Sequence, residues 1–163
     1  MFKNLSYSLL SGLLFFLSWP THFPFLTPLI FIAFVPLFLI QRDITINNKK
    51  SVQIFIYAYI AFLIFNFSTT FWIEKASLAF GEGLFAVLCN GFFMALVFYF
   101  YHILSHFLKF TSGFFFFFLL WIGFEILHLN WDLNWPWLIL GNVFSVHPSW
   151  IQWYSYTGVL GGT

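Results

Sequence analysis

Charge is what this sequence has least of. Charged residues are 7% of the chain, six Lys or Arg against five Asp or Glu, where a soluble domain carries about 25%. So few charges cannot solvate a surface, which excludes a water-exposed globule and leaves lipid as the solvent. The formal net charge of +1 excludes a strong electrostatic claim on nucleic acid. Cysteine is nearly missing as well. Cys89 stands alone, which excludes an internal disulfide framework and any multi-cysteine metal site. In place of these are apolar residues at 61% and aromatics at 26% of the 163 positions. One all-α integral membrane domain is expected over residues 1–163, with no internal repeat.

The rare charges cut the chain into apolar runs. The first, residues 5–19, follows Lys3 and resembles the apolar part of a signal peptide. Leu17-Ser18-Trp19-Pro20 is a poor small-residue cleavage site, and a second apolar run follows at once, so the first run reads as a retained span. Pro20 and Pro24 break the helix there because proline lacks the amide donor. Residues 25–41 run back, with Pro28 in the first turn and a kink expected at Pro36. Residues 52–73 are free of charge, long enough for a hydrocarbon core of about 30 Å at about 1.5 Å per residue. Residues 84–108 and 113–129 make the fourth and fifth runs. The five phenylalanines 114–118 read as composition bias on a lipid-facing helix. Residues 150–163 start a sixth run of only ~20 Å, ending in Gly161-Gly162-Thr163 with no polar flank, and this reads as a truncated chain. About five complete transmembrane helices plus a truncated sixth are therefore expected.

A cytoplasmic N-terminus places Lys3, Arg42, Lys49, Lys50 and Lys109 inside and only Lys75 outside, as the positive-inside rule requires. Glu74, Glu82, Glu125 and Asp132 then fall at or near the outer face. Trp19, Trp72, Trp131, Trp135, Trp137, Trp150 and Trp153 gather there too, as interfacial anchors do.

Four places could carry chemistry. Residues 130–152 join tryptophans to Asp132, Asn134, Asn142, His147 and Gln152, a composition that suits a site at the membrane–water boundary and equally an ordinary outer loop. Glu125 lies inside an apolar run, where a carboxylate is costly; it is a functional residue, or it reaches the interface or pairs with His128 at i+3. His102 and His106 share a helix face at i, i+4, but no carboxylate or cysteine stands near to complete a metal set, so interfacial histidines are the plainer account. His22, His128 and His147 lie toward the opposite side, against a haem sandwich. Cys89 sits early in a hydrophobic span without a neighbouring base, so it is not a catalytic thiol. Asn66, Ser68, Thr69 and Thr70 before Trp72 suit helix–helix hydrogen bonding.

Three segments in order resemble the N-terminal membrane region of bacterial apolipoprotein N-acyltransferases. They are the hairpin from Leu13-Leu14-Phe15-Phe16-Leu17-Ser18-Trp19-Pro20 to Phe34-Val35-Pro36-Leu37; Asn66-Phe67-Ser68-Thr69-Thr70-Phe71-Trp72-Ile73 with Ala76-Ser77; and Glu125 followed by Asn134-Trp135-Pro136-Trp137-Leu138-Ile139-Leu140-Gly141-Asn142. The third continues through Pro148, Ile151-Gln152 and Thr157-Gly158-Val159-Leu160-Gly161. The chain departs from the family in having Ile126-Leu127-His128-Leu129 where an Arg commonly follows the acid, and Asn142 in place of a Tyr or similar residue. The resemblance implies Trp72, Glu125, Trp135, Pro136, Trp137, Gly141 and Gln152 as substrate-binding or structural motif residues.

The resemblance also implies a multi-pass protein of the bacterial inner membrane, without cofactor or metal, that serves lipoprotein biosynthesis. Members move an acyl chain from a phospholipid donor to the N-terminal amine of a diacylglyceryl-cysteine lipoprotein. They do so with a Glu-Lys-Cys triad in a nitrilase-like domain that follows further helices. These 163 residues contain no such domain, so no catalytic residue is assigned and the chain is expected to be inactive without that domain, whether it is a truncation or half of a split enzyme with a separate nitrilase-like chain. A small membrane transporter or membrane interaction protein using Glu125 is the alternative, and uptake into vesicles lost in Glu125→Gln would mark it. A reporter fused after Asn48 is expected to report cytoplasm and one after Glu82 periplasm; the reverse pattern defeats the assigned orientation.

Overall fold

A computed structural model of the protein describes residues 2–21, 23–76, 81–107 and 110–163. His22, Ser77 and Lys109, named above, lie outside them. Helix α1 covers Phe2–Ser18; a 3-10 turn at Pro24–Leu29 leads into α2, Ile30–Ala33, and α3, Val35–Ile46. Then come α4 (Val52–Thr70), the short α5 (Trp72–Ala76), α6 (Glu82–Ser105) and α7 (Phe110–Asn130). Beyond Asn130 the chain runs through 3-10 turns with one four-residue helix, α8, Tyr154–Thr157. The described residues are helical and contain no strand. Among the described residues four stretches are long and apolar enough to cross a membrane: Pro24–Ile46, Val52–Thr70, Glu82–Ser105 and Gly113–Asn130. The first expected span, α1, is not among these four; it has 17 residues, about 25 Å of helix.

Proline sets the shape of the second span. Without an amide hydrogen, Pro36 cannot continue the helical ladder, and the helix stops at Ala33 and restarts at Val35. The Phe34 ring at this break meets Phe15 edge-on at 4.8 Å, Trp121 at 4.9 Å and Phe117 at 5.0 Å. The Ala33 carbonyl beside the break accepts the Ser11 hydroxyl at 2.6 Å. The expected kink is therefore a break, filled by an aromatic ring and closed by a hydroxyl from α1.

The buried face of α1 is small and polar. Asn4, Ser8, Ser11, Phe15 and Ser18 recur every three or four residues and are all buried. The Ser8 hydroxyl donates to the Tyr57 carbonyl on α4, and a Cβ on Gly12 would lie 2.7 Å from the Ala61 carbonyl oxygen. In lipid, where apolar surface gives no drive to associate, small residues let backbones close and hydroxyls join them. The same holds across α4 and α6, where Gly91 faces Leu63. At the basic end, Asp43 accepts Asn4 at 2.8 Å and pairs with Lys49 at 2.6 Å.

Three expectations change. Trp19 is not an interfacial anchor: it is 5% exposed and packs edge-on to Phe65 at 5.1 Å, because the turn after Ser18 folds it onto α4. The run 114–118 is not wholly lipid-facing, since helical periodicity turns Phe117 (1% exposed) into the core while Phe115 (67%) points out. Residues 150–163 do not continue as a helix; Pro148 and the glycines at 158, 161 and 162 divide them into turns. At the start of α6, Glu74 accepts the Gly81 and Leu84 amides at 2.7 and 2.8 Å, and these bonds, which favour its ionised form, hold its carboxyl below the usual range.

Gly12→Ala is expected to lower stability in detergent by about 1–3 kcal/mol, the cost of forcing extra volume into a tight contact. Gly123→Ala, where a Cβ meets nothing within 4 Å, is expected to leave the thermal midpoint unchanged. Equal midpoints for both variants would show that the α1–α4 approach is not tight.

Candidate functional site

The buried stripe of α7 carries Phe117, Trp121, Glu125 and His128, one helical turn apart on a single face. Glu125 is 2% exposed. Its Oε1 accepts the Trp121 indole N–H at 3.0 Å and the Leu140 backbone N–H at 2.8 Å. Its Oε2 accepts the Thr163 hydroxyl at 2.6 Å. The expected alternative, a pair with His128, is not formed, because helix and loop donors take both carboxyl oxygens while His128 turns toward α6. Among the described residues the ion pair is Lys49–Asp43, so Glu125 has hydrogen-bond donors around it rather than a cation. Buried and fully engaged, it ties the loop after α7 onto the helix.

That loop is built for the attachment. Pro136-Trp137-Leu138 forms a 3-10 turn and Ile139 is extended, which presents the Leu140 amide to Glu125. Asn142 closes the turn, its Nδ2 donating to the Pro136 carbonyl at 2.8 Å. Gly141 then meets the last turns of the chain. Its carbonyl accepts the Tyr154 hydroxyl at 2.8 Å, its amide donates to Thr163 Oγ1 at 3.3 Å, and a Cβ there would lie 1.9 Å from the Val159 carbonyl oxygen. Only glycine permits that approach. His147 Nε2 lies 3.0 Å from the Pro24 carbonyl, joining the same loop to the first hairpin.

A second buried cluster lies beside the first. Asn66 Nδ2 donates to the Phe62 carbonyl at 2.8 Å, so Asn66 Oδ1 is left as acceptor for Asn90 Nδ2. Asn90 Oδ1 must then accept, which puts the proton of the neutral His128 ring on Nε2 by satisfaction of the network. His128 Nδ1 has no hydrogen-bond partner, and its ring lies between Phe124, at 4.5 Å, and Trp131, at 5.2 Å. This cluster joins α4, α6 and α7.

Of the residues singled out from sequence, Glu125 and Gly141 are brought together through Leu140 and Thr163. Trp72 and Trp137 form a separate edge-to-face pair at 5.6 Å, both half exposed. Trp135 packs against the core and its Nε1 is buried without a partner, while Pro136 starts the turn. Gln152 stands apart and bonds its own turn at Pro148. Trp121, Tyr154 and Thr163 were missed. Trp121 was legible as the i−4 neighbour of Glu125; the other two depend on a fold-back that no local pattern announces. Cys89 is a half-buried free thiol on α6. His102 and His106 have rings 4.8 Å apart, with His102 Nε2 at 3.2 Å from Ser51. Among the described residues no group of three His, Cys, Asp or Glu could hold a metal.

The family model described as apolipoprotein N-acyltransferase N-terminal domain matches residues 11–163. No curated protein and no solved structure matches the chain.

Glu125→Ala leaves the Trp121 indole and the Leu140 amide buried without an acceptor, at a cost of roughly 1–3 kcal/mol for each group. Glu125→Gln keeps a carbonyl oxygen and is expected to lose less. Thermal unfolding in detergent, with limited proteolysis of the 131–153 segment, reads both effects; an alanine variant as stable and as resistant as the parent would remove the anchoring role.

Proposed function

This chain belongs to the apolipoprotein N-acyltransferase N-terminal domain family, and from that premise we propose that it is the membrane-embedded part of an enzyme that N-acylates lipoproteins. The acyl donor is a phospholipid and the acceptor is the N-terminal amine of a diacylglyceryl-cysteine, in the bacterial inner membrane. The family match over residues 11–163 is the observation that carries this reading. The four long apolar helices agree with it.

The chemistry of such a transfer needs a thiolate nucleophile, a base and an oxyanion stabiliser. Cys89, on a membrane helix, has no such neighbours in the sequence, so the triad comes from a nitrilase-like domain, in the same polypeptide or in a partner chain. The present residues hold that domain at the membrane surface and leave a lateral path for lipid. With the N-terminus cytoplasmic, the loop tied down by Glu125, together with the Trp72–Trp137 pair, faces the outer leaflet, where both substrates reside. Aromatic rings with amphipathic edges suit that depth.

Expression in bacteria depleted of their own apolipoprotein N-acyltransferase tests the proposal, with lipoprotein N-termini read by mass spectrometry. The chain alone is expected to yield no N-acylation and no thioester with labelled phospholipid. Joined to a nitrilase-like domain, it is expected to restore N-acylation. Membrane insertion without restoration by any such domain, or thioester labelling at Cys89 in the chain alone, would overturn it.

A further inference from the structure

Between α3 and α7 lies a groove of about 800 Å³, within the size range of small-molecule sites. It starts beside Trp121, Leu140 and Thr163, the donors to Glu125. Phe31, Phe38, Phe114 and Phe118 line it, and it reaches from Leu140 and Thr163 at one end to Arg42 and His106 at the other. Its length follows the helices and its walls are apolar, so what fits it is a chain of hydrocarbon. Its basic end is different. Gln41, Thr45 and Ser105 supply polar groups there, and Gln41 Nε2 donates to Ser105 at 3.2 Å. Asp43, the acid next to Arg42 in sequence, is taken by Lys49 and Asn4. Arg42 therefore has no carboxylate partner among the described residues. A small cavity of about 60 Å³, lined by Lys49, Ser51 and His102, adjoins the groove and shares Thr45 and His106 with it. His102, 1% exposed, has its Nδ1 without a hydrogen-bond partner.

We propose that this groove holds a phospholipid of the surrounding membrane with an anionic headgroup, its acyl chains along the phenylalanine wall between α3 and α7 and its phosphate meeting Arg42. The guanidinium fork matches a phosphate in two parallel hydrogen bonds, and basic pockets between membrane helices favour anionic lipid for the same reason. Its headgroup end, at Arg42 and His106, is the end of the groove away from Leu140 and Thr163, which bond Glu125. It requires no reaction, only retention of one lipid.

Gly113 gives a clean test. It lines the groove, and a Cβ on it meets nothing within 4 Å among the described residues, so Gly113→Leu adds bulk to the groove wall. Native mass spectrometry of the purified chain, exchanged into detergent with added phosphatidylglycerol or phosphatidylcholine, reads the bound lipid. The parent is expected to retain phosphatidylglycerol in preference. Arg42→Gln is expected to weaken that binding by roughly tenfold, the loss of one charge-assisted contact, and Gly113→Leu to abolish it with helix content unchanged by circular dichroism. Equal retention of the two lipids, or binding indifferent to both substitutions, would overturn the proposal. So would a lipid-free dimer, which would show that a second copy covers the groove.

Discussion

A carboxyl group inside a membrane helix must be surrounded by donors, and Glu125 draws its donors from three separate parts of the chain. Trp121 is a turn away on the same helix, Leu140 belongs to the following loop, and Thr163 to the last turns. Where the irregular segment after Asn130 is buried against the helices, its backbone groups need partners in the protein. Glu125 provides that for Leu140, and Tyr154 and Thr163 do the same on either side of Gly141. The costly residue and the irregular backbone resolve each other's unsatisfied groups. Remove the carboxyl, and the loop loses its anchor to α7.

The same accounting explains the rest of the bundle. Lipid tails are as apolar as leucine, so nothing but close packing and interhelical hydrogen bonds draws these helices together. Ser8, Ser11 and Gly12 on α1 and the Asn66–Asn90–His128 chain provide both. Aromatic rings fill what remains: Phe34 sits in the break before Pro36 and touches α1 and α7 at once.

Much of this was legible from where charge and proline fall. The long apolar runs and the discontinuity at Pro36 follow from hydropathy and from a missing amide, which are local properties. The family resemblance rested on the ordered block around Pro136 and Gly141, and the family match agrees with it. The buried serines of α1 went unread, although their spacing of three and four residues is visible, because small polar residues in a short span look like weak hydropathy rather than an interface. Trp19 was misplaced because its composition suits an interface and only the turn after Ser18 decides otherwise. Residues 150–163 are apolar enough to suggest the start of a sixth span, but Gly158 adopts φ of 64°, a conformation that ends a helix rather than extending it. Glu125 was recognised as significant, but its partners were not, since Leu140 and Thr163 meet it through a fold-back of long sequence separation.

The two ends of the bundle answer the same constraint in opposite ways. At the tryptophan-rich end, irregular backbone is brought against the helices, and its groups are satisfied inside the protein by one carboxyl, one glycine contact and a few hydroxyls. Toward the basic end the helices stay regular, so their backbone groups are satisfied already, and the phenylalanine walls of the groove between α3 and α7 lie open. A loop held in fixed geometry suits the presentation of a surface to another domain or substrate, because little order remains to be acquired on binding. An open apolar groove suits a component of the solvent itself. The irregular backbone and the open groove meet at Leu140 and Thr163, so a fixed loop and an adaptable apolar wall share a single set of helices.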